Sequence, residues 1–99
     1  MTDGTADASI GALRRTLPIA NKRGLHARAA AKFVRTVGQF DALVRVSFKG
    51  QEVSGLSIMG LMMLAAGIGS EIEVSCSGLQ AADAMAALSA LVEGKFGEE

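Results

Sequence analysis

His26 is the only histidine in the chain, and it stands directly before a run, Ala27-Arg28-Ala29-Ala30-Ala31-Lys32-Phe33, that reads as the start of a helix. The first turn of such a helix has backbone N–H groups without internal partners, and they point back toward residue 26. That arrangement suits an anion. Arg28 falls in the same turn, where a cation opposes the helix dipole at a cost of roughly 0.3–1 kcal/mol unless a negative group offsets it. A phosphate carried on the imidazole would do so. With an unperturbed pKa of about 6.5, histidine also offers a neutral, nucleophilic ring nitrogen near neutral pH. The plainer alternative is that His26 only caps a helix or packs in a loop.

The charge layout favours the phosphate. Lys+Arg and Asp+Glu are equal at 10 each, yet no acidic residue occurs between Ala8 and Phe40, where Arg14, Arg15, Lys22, Arg23, Arg28, Lys32 and Arg35 all lie. A basic third within a neutral chain steers an anionic ligand or an acidic partner surface. Chance clustering on a solvated face is the alternative.

The elements that must position this segment follow from periodicity. The 99 residues suffice for one domain with one core. Residues 1–15 lack a clean period and read as a flexible N-terminal extension, 16–96 as the domain, and 97–99 as a C-terminal tail. Leu17 to Asn21 reads as a strand placed at a sheet edge by Pro18, which cannot donate to a ladder. Ala30, Phe33, Val34 and Val37 form one buried helical stripe that leaves Lys32 and Arg35 outside, and Gly38 ends the helix. Ala42, Val44, Val46 and Phe48 alternate as a strand, and Lys49-Gly50 turns it into a short partner around Val53. Ser57 is placed to cap a helix over Ile58 to Ala66. A stripe at Ile58, Leu61, Met62 and Ala65 would face the core and leave Met59 and Met63 as apolar surface, suited to docking a partner; burial all round is the alternative. Ile72, Val74 and Cys76 alternate in a last strand. Ala81, Ala84, Met85, Leu88, Leu91 and Val92 make a final helix that stops at Gly94. The order βαββαβα implies an α+β open-faced sandwich, a four-stranded antiparallel sheet covered on one face by three helices.

Some classes are set aside. Cys76 has no partner for an internal disulfide and alternates with apolar neighbours, so it reads as a small buried hydrophobe. Neither a cysteine pair nor a histidine cluster offers metal ligands, so no metal or cofactor is expected. The lack of a secretory signal pattern and of a membrane-spanning run leads to the expectation of a cytoplasmic protein that does not enter a membrane. Phenylalanine is the only aromatic type, and Phe33, Phe40, Phe48 and Phe96 read as core or turn residues, which argues against base stacking and nucleic-acid binding.

Two segments carry a family resemblance. Asn21-Lys22-Arg23-Gly24-Leu25-His26-Ala27-Arg28 is similar to the active-site segment of HPr, the histidine phosphocarrier of the bacterial phosphotransferase system. Ser57-Ile58-Met59-Gly60-Leu61-Met62 resembles the stretch around HPr's regulatory serine, and Gly67-Ile68-Gly69 falls at the matching spacing. The resemblance spans about residues 16 to 93, and the wording Ser-Ile-Met-Gly-Leu-Met-Met resembles the nitrogen-related branch. It implies that His26 takes a phosphoryl group on Nδ1 from phosphorylated enzyme I and passes it to an enzyme IIA. Arg28 would neutralise the phosphoryl oxygens, and the N–H groups of Ala27 and Arg28 would bind them. Ser57 would be the target of an HPr kinase/phosphorylase, with its phosphate at a helix N-terminus where negative charge is tolerated. Ala29 stands where HPr proteins very often have proline, which implies a slightly looser helix start. Gly60 inside a helix is a weakness of about 1 kcal/mol against alanine.

The leading expectation is a monomeric phosphohistidine carrier with no enzymatic turnover of its own. The alternative is a regulatory docking module that binds target proteins through Met59, Leu61, Met62 and Met63, gated by phosphorylation. A small enzyme with His26 as general base is disfavoured, because no carboxylate close in sequence is evident to orient the imidazole.

Overall fold

The computed structural model describes residues 12–98. Its strands are β1 (Leu13–Pro18), β2 (Leu43–Phe48), β3 (Gln51–Ser54) and β4 (Glu71–Ser77), and its helices are α1 (Ala27–Val37), α2 (Ile58–Met63) and α3 (Ala81–Glu93), followed by a single 3-10 turn at Lys95–Gly97. The strands form one antiparallel sheet in the order β1-β4-β2-β3. This is the expected α+β open-faced arrangement.

The strand alternation decides which face is covered. Val44 and Val46 of β2 and Ile72, Val74 and Cys76 of β4 are buried, and they pack with Ala30, Phe33 and Val37 of α1 and Ala84, Leu88 and Val92 of α3 in one core. The open face carries charge instead, with Arg14 3.7 Å from Glu73 and Arg45 3.1 Å from Glu52. Such exposed pairs contribute about 0–1 kcal/mol each. The β2–β3 hairpin turns on Lys49 and Gly50, both at positive φ (51° and 81°), as a two-residue type I′ turn requires.

The structure departs from the sequence reading in four places. β1 begins at Leu13, so Leu13–Arg15, assigned to the extension, pair with Cys76, Ser75 and Val74. Only Leu17 of this edge strand is buried, which is why it shows no apolar alternation; the rest of the extension, 1–11, lies outside the described residues. Lys32 was expected to face solvent, but it is half-buried and its Nζ donates to the Phe96 carbonyl at 2.6 Å. α2 ends at Met63 and not at Ala66, and Ala65 adopts φ 56°. Of its expected core stripe only Leu61 is buried, while Ile58, Met62 and Ala65 are exposed. A helix of six residues presents about one inward position, and the buried Leu64 and Ala66 reach the core from the loop that follows it. Finally, Phe96 is buried as its reading as a core or turn residue implies, but Gly97 and Glu98, assigned to the tail, continue the turn, with the Gly97 N–H donating to the Gly94 carbonyl at 3.0 Å and the Glu98 N–H to the Lys95 carbonyl at 2.8 Å.

Candidate functional site

The loop from Asn21 to Leu25 fixes where α1 starts. Gly24 has φ 64°, and a Cβ there would lie 2.5 Å from the Ala66 carbonyl oxygen and 2.8 Å from Gly67 Cα. Only glycine permits this approach. It brings the Leu25 N–H to the Ala66 carbonyl at 3.0 Å, and the Leu25 side chain is buried. The loop is therefore pinned to the segment after α2 immediately before His26.

His26 is the N-cap residue of α1: its backbone is extended and its carbonyl accepts from the Ala30 N–H at 2.9 Å. Its side chain makes no capping hydrogen bond, so the amides of the first turn, Ala27 and Arg28 among them, are not taken by the imidazole. Neither is there an acidic side chain in that turn. Ala29, at the position of the family's usual proline, is fully buried against the core, so packing holds the helix start where proline would preset it.

The imidazole instead meets a carboxylate. His26 Nε2 lies 2.6 Å from Glu98 Oε2, with the two side chains 17% and 18% exposed. Glu98 Oε1 accepts from Asn21 Nδ2 at 3.0 Å, and the same Nδ2 donates to the Gly24 carbonyl at 2.9 Å. The hydrogen bond from Asn21, with the nearby His26 and Lys32, holds the Glu98 carboxyl below its ordinary pKa against a smaller opposing effect of desolvation. Around this pair Lys22, Arg23, Arg28 and Lys32 line an open cleft of about 590 Å³, together with Gly97 and Glu98. A histidine beside free helix amides, under a rim of four cations, can take and hold an anionic group.

Sequence reasoning missed Glu98, which is 72 residues from His26 and falls in the segment read as tail. The available signal was Phe96, an aromatic residue between Gly94 and Gly97 that has to find cover. Asn21 stood within the motif but had been given no task.

Ser57 sits where expected, as the N-cap of α2, with its Oγ accepting from the Gly60 N–H at 2.8 Å. Met59 and Met63 are 66% and 70% exposed and Met62 is also exposed, whereas Leu61, named with them as a docking residue, lies in the core and presents nothing to a partner. Burial of α2 on all sides is thereby excluded. Among the described residues there is no cluster of potential metal ligands and no helix long and apolar enough to cross a membrane.

The model of the family described as "PTS HPr component phosphorylation site" matches residues 13–94. The chain is 50% identical over 86 residues to the phosphocarrier protein HPr of Neisseria meningitidis serogroup A, covering 87% of this chain and 97% of that one. It is 41% identical to the phosphocarrier protein NPr of Shewanella violacea, over 87% of this chain and 94% of that one. The crystal structure of HPr-C-His from Thermoanaerobacter tengcongensis superposes with a TM-score of 0.84 at 41% identity, covering 88% and 98% of the two chains. Fold, family model and relatives agree along nearly the whole described chain, which therefore belongs to the HPr family of phosphotransferase-system phosphocarriers.

Proposed function

We propose that His26 accepts a phosphoryl group on Nδ1 from phosphorylated enzyme I and passes it to an enzyme IIA. The observation that carries this reading is the position of His26: it is the N-cap of an eleven-residue helix whose first turn lacks an acidic side chain, within a rim of Lys22, Arg23, Arg28 and Lys32. Phosphoryl transfer between two nucleophiles passes through a loose transition state, so positioning and charge neutralisation do most of the catalysis. The amides of Ala27 and Arg28 and the Arg28 guanidinium supply both. The chain acts as a stoichiometric carrier in the cytoplasm, as a monomer, with a working domain that takes in all of β1 from Leu13 and the turn up to Glu98.

Intact-mass measurement after incubation with phosphoenolpyruvate and enzyme I tests this. One acid-labile phosphoryl adduct is expected on the protein and none on His26→Ala; no adduct on the unmodified protein, with enzyme I proven active on another carrier, refutes the reading.

Ser57 is the proposed site of regulatory phosphorylation by an HPr kinase/phosphorylase. A docking role for Met59, Met62 and Met63 is favoured by their exposure, and it predicts that His26→Ala leaves binding to partners intact. The nitrogen-related branch rests on the wording of Ser57–Met63 alone, and identity to HPr at 50% against NPr at 41% favours the general HPr reading.

A further inference from the structure

We propose that Met59 and Met63 are sites of reversible oxidation: a hydroperoxide converts their thioethers to sulfoxides, and the polar surface that results weakens docking of phosphorylated enzyme I and so slows the loading of His26. The inference rests on the phosphocarrier reading above and on the docking role given there to the methionines of α2.

The sulfur atoms divide by exposure. The chain has five methionines and one cysteine. Met85 is 4% exposed and Cys76 is fully buried, whereas Met59, Met62 and Met63 are 66%, 38% and 70% exposed; Met1 lies outside the described residues. A thioether is oxidised without prior ionisation, so access decides which one reacts. Among the described residues an oxidant in solution therefore meets sulfur on α2 alone.

α2 is also placed where the change has an effect. From Val53 to Ser70 no residue is charged, and Leu56, Ile58 and Ile68 in the same stretch are exposed. The Leu25 N–H, one residue before His26, meets the Ala66 carbonyl just beyond α2 at 3.0 Å, and α2 packs on α1. A protein that brings a phosphohistidine to His26 covers this stretch as well. Thioethers are apolar and adapt to a partner's shape. A sulfoxide oxygen is a strong acceptor that the interface has to desolvate, with no charged donor in the stretch to pair with it.

In the oxidation a sulfur lone pair attacks one peroxide oxygen. The S–O bond forms as the O–O bond breaks, the transferred oxygen gives up its proton, and with hydrogen peroxide the leaving hydroxide takes that proton and departs as water. Sulfur loses two electrons and the peroxide gains them. A methionine sulfoxide reductase with a dithiol reverses the step, the dithiol becoming a disulfide as the oxygen leaves as water. Neither Met59 nor Met63 belongs to the core, so docking registers the change and the fold does not.

The test treats the full chain with dilute hydrogen peroxide, locates sulfoxides over time by peptide mass spectrometry, and measures the urea midpoint together with KM and kcat of enzyme I for the treated protein. Met63 and Met59 should oxidise first, Met62 more slowly, and Met85 only when urea unfolds the chain. With both sulfoxides in place KM should rise about tenfold, equivalent to about 1.4 kcal/mol, while kcat and the urea midpoint hold; reductase and dithiothreitol should restore KM. The double variant Met59→Leu, Met63→Leu keeps the apolar volume without the sulfur, and against its own untreated sample its KM should not respond to peroxide. Oxidation of Met59 and Met63 no faster than Met85, an unmoved KM with both oxidised, or an equal response in the leucine variant overturns the proposal. An unchanged KM for Met59→Gln, Met63→Gln removes the docking role, and this proposal with it. Failure of the untreated protein to accept any phosphoryl group removes the carrier reading itself; a faulty oxidation assignment alone leaves that acceptance intact.

Discussion

Replacing Gly24 by alanine separates two contributions that the structure makes distinct. Gly24 and Gly50 both have positive φ, 64° and 81°, but a Cβ at Gly50 meets nothing within 4 Å, whereas at Gly24 it meets the Ala66 carbonyl oxygen at 2.5 Å. The left-handed conformation costs an L-residue about 1–2 kcal/mol, offset by about 0.4–1 kcal/mol from the lower entropy of the unfolded chain. Gly50→Ala should therefore destabilise by about 1 kcal/mol or less. At Gly24 the contacting atoms are backbone, and relieving the overlap separates the Leu25 N–H from the Ala66 carbonyl it now meets at 3.0 Å. Leaving such buried groups unpaired costs about 1–3 kcal/mol more, which puts Gly24→Ala at about 2–4 kcal/mol out of a total stability of roughly 5–15 kcal/mol. Urea unfolding followed by circular dichroism gives both values, and the slope m should be unchanged. Because the loop positions His26, Gly24→Ala should also slow phosphoryl acceptance at urea concentrations where it remains folded, and Gly50→Ala should not. Equal stabilities for the two variants would show that the Gly24–Ala66 approach is not the constraint argued here.

Four further outcomes follow from local features of the structure. Ser57→Ala removes the acceptor for the Gly60 N–H and should cost about 1 kcal/mol in urea unfolding, while Ser57→Asp, which can still cap, should cost less. Gly60→Ala should not return the roughly 1 kcal/mol that a helix interior ordinarily gains, because its Cβ would lie 2.9 Å from Ser57 Oγ and 3.1 Å from Val53 Cβ; a more stable variant would refute this. The lowered Glu98 pKa implies that its contribution to stability is present above the unfolded carboxyl value and is lost as pH falls through the folded one. Acid titration should then show a shallower loss of stability below about pH 4.3 for Glu98→Gln than for the unmodified protein. Burial pushes the Cys76 thiol upward, so a thiol reagent at pH 8 should label the native protein only at the rate at which it unfolds.

Local patterning made most of the framework legible. The period-2 runs in β2 and β4, the stripe of α1 and the positions of α3 state which side of each element is covered, and Lys49-Gly50 states its turn, because the period and the turn are properties of the segment itself whatever remote element packs on it. The candidate site segment was legible for the same reason: a histidine, a helix start and an acid-free flank are contiguous. What failed was what depends on remote parts of the chain. α2 reads as a longer helix with a core stripe, yet where it stops is set by the loop that continues into Leu64 and Ala66. β1 hides because an edge strand with one buried residue has no alternation to show. Glu98 was out of reach because pairing across 72 residues leaves no periodic trace.

The turn that delivers Glu98 holds the one pair of consecutive non-glycine residues at positive φ among the described residues, and its position explains the cost. Lys95 and Phe96 follow one another at φ 59° and 54°, and consecutive left-handed non-glycine residues cost about 1–3 kcal/mol each. Such a turn persists only if its surroundings determine it. Phe96 is fully buried, worth up to about 3 kcal/mol in removed apolar surface, and its carbonyl accepts from Lys32 Nζ at 2.6 Å, a charge-assisted bond worth about 1.5–3 kcal/mol. The two terms are of the same size as the strain they offset. Their net effect is therefore placement more than stability: an aromatic anchor and a lysine from the face of α1 opposite to expectation hold a turn whose next residue meets the imidazole. Lys32 serves both ends of this arrangement, lining the cationic rim and fixing the strand of chain that brings in the cleft's single carboxylate. A neutral chain with its bases gathered at one helix start thus returns one acid to that start from its far end.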